Sequence, residues 1–220
     1  SPLLPIFLTV FIDLVGFGIV IPVLPFYVRS LGADAAVLGL LTASFSLMQF
    51  IFSPILGEMS DRLGRRPVLI MSLVGSGLAS LLMGLANVWG GLTLLFVARI
   101  LAGITAATIS TAQAYIADVT PPEKRAAGMG LIGAAFGLGF VLGPTIGGVL
   151  SHRFGVMVPF FFVAGLALAN AGLAWFMLPE PEKHEARSTS SSRFGAVGEA
   201  FGDPRIAIPI ALLFITIAAF

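Results

Sequence analysis

The chain of 220 residues has no cysteine, which excludes disulfides, thiolate metal sites and cysteine nucleophiles. Its two histidines, His152 and His184, lie in different loops and offer no basis for a metal cluster. Charge is scarce at 10% of residues, and 12 Lys and Arg nearly offset 11 Asp and Glu, so no global field would draw nucleic acid or an acidic partner. No nucleophile with an adjacent base and no carboxylate dyad stands out, which argues against an enzyme and against a bound metal or organic cofactor. What is abundant is apolar surface: 57% of residues are hydrophobic and the mean hydropathy is +1.02, values that belong to a chain whose solvent is lipid.

Apolar spans run over residues 4–28, 36–59, 67–86, 92–117, 128–150 and 156–178. Each is near the roughly 20 residues that cross about 30 Å of hydrocarbon, so six membrane helices are predicted. The first span is too long for a cleaved signal peptide, carries Asp13 near its middle and has no basic segment before it. From Pro179 the composition turns polar through Glu-Pro-Glu-Lys-His-Glu and a serine run, which reads as a linker over 179–205 following a bundle over 1–178. Phe194, Val197 and Phe201 are spaced for a short helix on the membrane surface, and residues 206–220 read as a seventh membrane helix cut short.

Nine Lys and Arg fall in the loops after spans two, four and six, against Arg29 and Arg153 after spans one and five. The positive-inside rule therefore places the N-terminus and the loop after span two in the cytoplasm of a multi-pass protein of the cell membrane. An offset of 91 residues lays 39–64 on 130–155 with ten identities, among them Gly39/Gly130, Phe45/Phe136, Gly57/Gly148, Ser60/Ser151, Arg62/Arg153 and Gly64/Gly155. The matched spans, second and fifth, cross in opposite directions, so spans one to three and four to six form an inverted 3+3 repeat.

Asp13 in span one and Arg99 in span four are charges inside hydrocarbon, where each costs roughly 2.5–3.5 kcal/mol to insert and persists mainly for function. Burial and a nearby guanidinium act on the proton affinity of an aspartate in opposite senses, so their separation decides whether Asp13 cycles a proton. The Arg99 face of span four continues through Gly103, Ala106, Ser110, Gln113 and Ala117 as a polar stripe expected to line a wet cavity. The Asp13 face continues through Gly16, Phe17, Val20 and Leu24. Span five carries Gly133, Gly137, Gly139, Gly143, Pro144, Gly147 and Gly148, suited to close helix contact and a bend. Its Gly128-Met-Gly130-Leu-Ile-Gly133 fits a dinucleotide pattern, but no strand precedes it.

Gly57-x-x-x-Asp61-Arg62-x-Gly64-Arg65-Arg66 resembles the loop signature of the major facilitator superfamily between its second and third helices. Arg99-x-x-Ala102-Gly103 is similar to its helix-four signature, with Ala102 in place of a frequent Gln. Gly139-x-x-x-Gly143-Pro144-x-x-Gly147-Gly148 resembles the helix-five antiporter motif, and the run from Asp13 to Pro25 the helix-one motif of the 12-spanner drug:proton antiporters. Ser-Leu-Met-Gln49-Phe and Ala-Tyr115-Ile-Ala-Asp118 bring the chain near bacterial tetracycline efflux proteins, several of which carry an acid where Ala79 stands here.

The resemblance implies an all-α, six-helix N-terminal bundle that needs a second six-helix half, embedded in lipid, moving a small amphipathic drug by alternating access on the proton gradient. It makes Asp13 the proton carrier with Arg99 tuning it, and implies a substrate cavity that includes Phe17, Gln49, Ser110 and Gln113. It implies a cytoplasmic gate in which Arg65 bridges to Asp118 and Asp61 holds a helix of the other half. A proton- or sodium-coupled importer, and a membrane receptor or assembly subunit, are the alternatives that the composition also fits.

Overall fold

The computed structural model describes residues 3–181. The end of the linker, the surface helix near Phe194 and the seventh stretch, 206–220, lie outside the described residues. Among those residues the secondary structure is helical: α1 Leu3–Ser30, α2 Ala35–Leu63, α3 Arg65–Leu85, α4 Gly91–Ile104, α5 Thr108–Val119, α6 Arg125–Phe154 and α7 Val158–Met177. A single 3-10 turn, Pro122–Lys124, precedes α6. Among the described residues six helical stretches are long and apolar enough to cross a membrane, with α4 and α5 together forming the fourth, Gly91–Val119.

The repeat is visible in backbone geometry. α2 ends at Leu63 and α6 at Phe154, 91 positions apart, and each is closed by a glycine whose N–H bonds a serine carbonyl, Gly64 to Ser60 and Gly155 to Ser151. Both glycines hold positive φ with extended ψ (112° and 158°; 94° and 159°), a conformation that a Cβ disfavours. Matched sequence thus produces matched helix ends, as an inverted repeat requires.

Helices associate in lipid without a hydrophobic driving force between them, so close van der Waals approach must hold the bundle. α1 packs most extensively on α6. On α6, Ile132, Ala135, Gly139, Gly143 and Gly147 form a buried stripe at steps of three and four. A Cβ on Gly143 would lie 2.6 Å from the carbonyl carbon of Gly18, and one on Gly18 would lie 2.8 Å from the carbonyl oxygen of Gly139. The two backbones therefore touch. Gly130, Gly133, Gly137 and Gly148 face open space instead, so the glycines of this helix divide by face. Gly148 and Pro144, expected with the contact motif, belong to the exposed side, and the helix runs unbroken through Pro144.

Two apolar clusters fill the bundle, one around Ile19, Tyr27, Leu95 and Phe160, the other around Val10, Leu73, Ile116 and Ala171. Tyr27 pins α1 to the end of α3: its hydroxyl donates to the Met83 carbonyl (2.8 Å) and accepts from the Asn87 N–H (2.9 Å), while its ring packs on Phe160. α2 buries little of itself, leaving Leu40, Leu47, Phe50 and Ile55 exposed.

Gly143→Ala in the full-length protein should cost about 1–3 kcal/mol through overpacking against Gly18, whereas Gly133→Ala, which meets no neighbour within this bundle, should cost less. Thermal unfolding of the purified proteins in detergent checks both; equal stability would refute the division of faces.

Candidate functional site: a central cavity and a charged helix end

Span four, expected as one helix over 92–117, is broken between Ile104 and Thr108. The Thr105 hydroxyl bonds back to Leu101 O (3.0 Å) and Ala102 O (3.4 Å), and the chain tightens as Ala107 N–H bonds Thr105 O (2.8 Å). The Thr105 side chain fits a notch on α3 that exists because residue 75 is glycine; any Cβ there would overlap it. Irregular backbone at membrane depth is tolerated where it lines a cavity, and Thr105, Ala106 and Thr108 line one here.

That cavity has a volume of about 320 Å³. Asp13, Phe17, Gln49, Arg99, Ser110 and Gln113, separate in sequence, all line it. Ser53 of α2 and Ser76 and Ser80 of α3 add hydroxyls to the wall. Gly16, Val20 and Ala106 also line it, as expected of their helix faces, but Gly103, Ala117 and Leu24 do not. Gly103 is buried where α4 presses on α2, so close that a Cβ would strike Phe45 O, and Leu24 lies in the apolar core. Ala79 is fully buried and takes no part in the lining.

Asp13 and Arg99 share the cavity without forming an ion pair with each other among the described residues. Thr108, at the first turn of α5, lines the same cavity as Asp13. Arg99 is only 7% exposed; its guanidinium lies 4.5 Å from the Phe45 ring centre, and Nε makes a long 3.5 Å bond to Leu41 O. A carboxyl and a guanidinium that do not pair with one another both remain available to a ligand.

The second cluster lies at the junction of α2 and α3. Arg65, the first residue of α3, donates from Nε to Asp118 of α5 (2.8 Å) and from Nη1 to Asp61 (2.5 Å) and Ser60 (3.3 Å). The guanidinium is 19% exposed, against 31% for Asp118 and 41% for Asp61. Arg62 pairs with Glu58 one turn away, and Gly57 lies in the last two turns of α2. Arg66 stacks on Trp175 of α7, 5.1 Å from the ring centre, and donates to the Trp175 carbonyl. Sequence reasoning brought out neither Trp175 nor Glu180, whose carboxylate accepts from the N–H groups of Arg65 (2.7 Å) and Arg66 (3.2 Å). The available signal was an acid between two prolines, Pro179 and Pro181, directly after an apolar span.

Paired inverted halves around a polar midplane cavity define the secondary-transporter class of architecture. The sequence pattern of the Major Facilitator Superfamily matches residues 6–220, and the chain belongs to that family. It is 43% identical over 192 residues to the tetracycline resistance protein, class C, of Escherichia coli, covering 86% of this chain and 48% of that protein. It is 36% identical over 184 residues to multidrug resistance protein 2 of Bacillus subtilis, covering 83% and 45%. The fold is also that of a bacterial homologue of the human lysosomal transporter Spinster, solved in an inward-facing, occupied conformation: TM-score 0.72, 21% identity, 90% of this chain and 50% of that one. The chain spans about half the length of the curated relatives it matches.

A double-mutant cycle on Arg65→Ala and Asp118→Ala, read by unfolding of the full-length protein, should give a coupling of about 0.5–1 kcal/mol, since both groups are partly solvated. Additive losses would show that the contact carries no energy.

Proposed function

We propose that this chain is the N-terminal half of a proton-coupled antiporter that exports amphipathic drugs by alternating access. One observation carries the reading: a cavity at membrane depth holds an unneutralised acid and base among aromatic and amide groups. Phe17 and Phe45 lie with ring centres 6.3 Å apart and supply apolar surface for a drug-sized molecule. Gln49, Gln113 and Ser110 offer donors and acceptors that suit many ligand shapes. Asp13 is the one carboxylate in the lining among the described residues, so it serves as the proton carrier and as counter-charge for a cationic substrate, one displacing the other. Arg99 biases that exchange from the α4 wall. The names of the relatives, tetracycline and multidrug resistance proteins, support export of drugs. With Ala79 buried and Asp13 the one acid in the lining among the described residues, an organic cation suits this half of the cavity better than a metal chelate.

The Arg65–Asp118 bond acts as a gate on the cytoplasmic side, with the N-terminus in the cytoplasm. It is made when that side is closed and broken when it opens, so it biases the protein towards the outward-facing state. The exposed faces of α2 and α6 meet lipid and the second six-helix half.

Cells expressing the complete protein should accumulate less drug, and a protonophore should abolish the difference. Asp13→Asn should remove protonophore-sensitive export while membrane insertion stays normal. Export undiminished by that substitution would remove Asp13 from the proton role, and net uptake of a metabolite would favour an importer.

A further inference from the structure

We infer that Glu180 is a positioning residue for the gate: its carboxylate fixes the first turn of α3, from which Arg65 and Arg66 project, and thereby sets whether Arg65 reaches Asp118. The inference rests on the gate reading above. The site is built by three consecutive residues past α7. Leu178 is buried in the apolar core at 2% exposure. The Pro179 carbonyl accepts from the Tyr115 hydroxyl of α5 at 3.0 Å. Glu180 then places one carboxylate oxygen on each of two successive N–H groups, at 2.7 and 3.2 Å.

Proline at 179 and 181 restricts the residue before each to extended backbone, and Leu178 is extended at φ −90° and ψ 114°. The carboxylate is thus delivered by a stiff segment. On the receiving side, α3 has no side-chain cap of its own, because its N-cap is Gly64. A Cβ on Gly64 would overlap the Glu180 carboxylate, so the glycine of the loop motif makes room for an acid from the segment past α7. A carboxylate at this position satisfies orphan N–H groups and meets the positive end of the helix dipole.

The consequence is mechanical. Arg65 grips α5 through Asp118, Arg66 grips α7 through Trp175, and Glu180 grips the backbone between them. Without the carboxylate the first turn of α3 frays, and the Arg65 side chain loses the fixed origin from which it spans to Asp118. The pair then breaks more often although both partners are present.

The test uses the full-length protein carrying a single cysteine, Ser53→Cys on the cavity wall, in inside-out vesicles. The rate of labelling by a membrane-impermeant maleimide reports opening of the cytoplasmic side. Arg65→Ala and Asp118→Asn should each speed labelling. Glu180→Ala should speed it roughly fivefold, the scale of a lost helix cap, with Glu180→Gln between it and the parent. In the Asp118→Asn background, Glu180→Ala should add nothing. If the two gate variants speed labelling and Glu180→Ala does not, the positioning role is wrong while the gate survives. If the losses multiply, Glu180 acts on the bundle at large, which also overturns it. If neither gate variant changes the rate, the gate reading itself falls.

Discussion

The contact on which the rest of this bundle depends is the backbone-to-backbone approach of α1 and α6 at Gly18, Gly139 and Gly143. In lipid, apolar side chains gain nothing by leaving one another for hydrocarbon, so a bundle is held by how closely its helices can approach. Once glycines bring these two into contact, the rotation of α1 about its own axis is fixed. Asp13, Gly16, Phe17 and Val20 then turn towards the cavity, while Ile19, Val23 and Tyr27 enter the core. A side chain at Gly143 would strike the Gly18 backbone and force the helices apart.

Cavity and helix end solve one problem in two ways. A charge at membrane depth must find partners or line water. Arg99 does so with a ring face and a backbone carbonyl, which leaves its charge uncompensated and usable. Arg65, at the helix end, has two carboxylates and a hydroxyl within reach and is compensated in place. The first arrangement suits a site that must respond to a transient ligand or proton, the second a latch between defined positions.

Much of this was legible in the sequence because it rests on periodicity. Six apolar runs became six spans, and the 91-residue offset became paired helix ends at Gly64 and Gly155. Arg99, Ser110 and Gln113 of the expected polar stripe all line one cavity although the helix breaks between them, and Ser110 and Gln113 share a face of α5 by their spacing. What stayed hidden was tertiary. The break at Thr105 carries no proline and follows from a notch on α3 at Gly75, 30 positions away in sequence. Glu180 lies 115 positions from Arg65, in a stretch whose composition reads as linker. The glycines of span five looked alike, yet Gly139, Gly143 and Gly147 press on α1 and Gly128 on Ile116 of α5, while Gly130, Gly133, Gly137 and Gly148 meet no neighbour.

The two ends of the repeat show where symmetry stops. Gly64 and Gly155 share a backbone conformation, so the turn belongs to the ancestral unit and needs no function to explain it. A Cβ at Gly155 would meet nothing, and the neighbouring His152 and Arg153 are exposed. At Gly64 the same turn is covered by the Glu180 carboxylate and bordered by the Arg65 ion pairs. Identical backbone with different chemistry means that the turn itself does not require the charged residues. Because Glu180 comes from the segment leaving α7, the end that carries them is also where the chain leaves the six-helix bundle, so the loop motif and that exit are one structural unit.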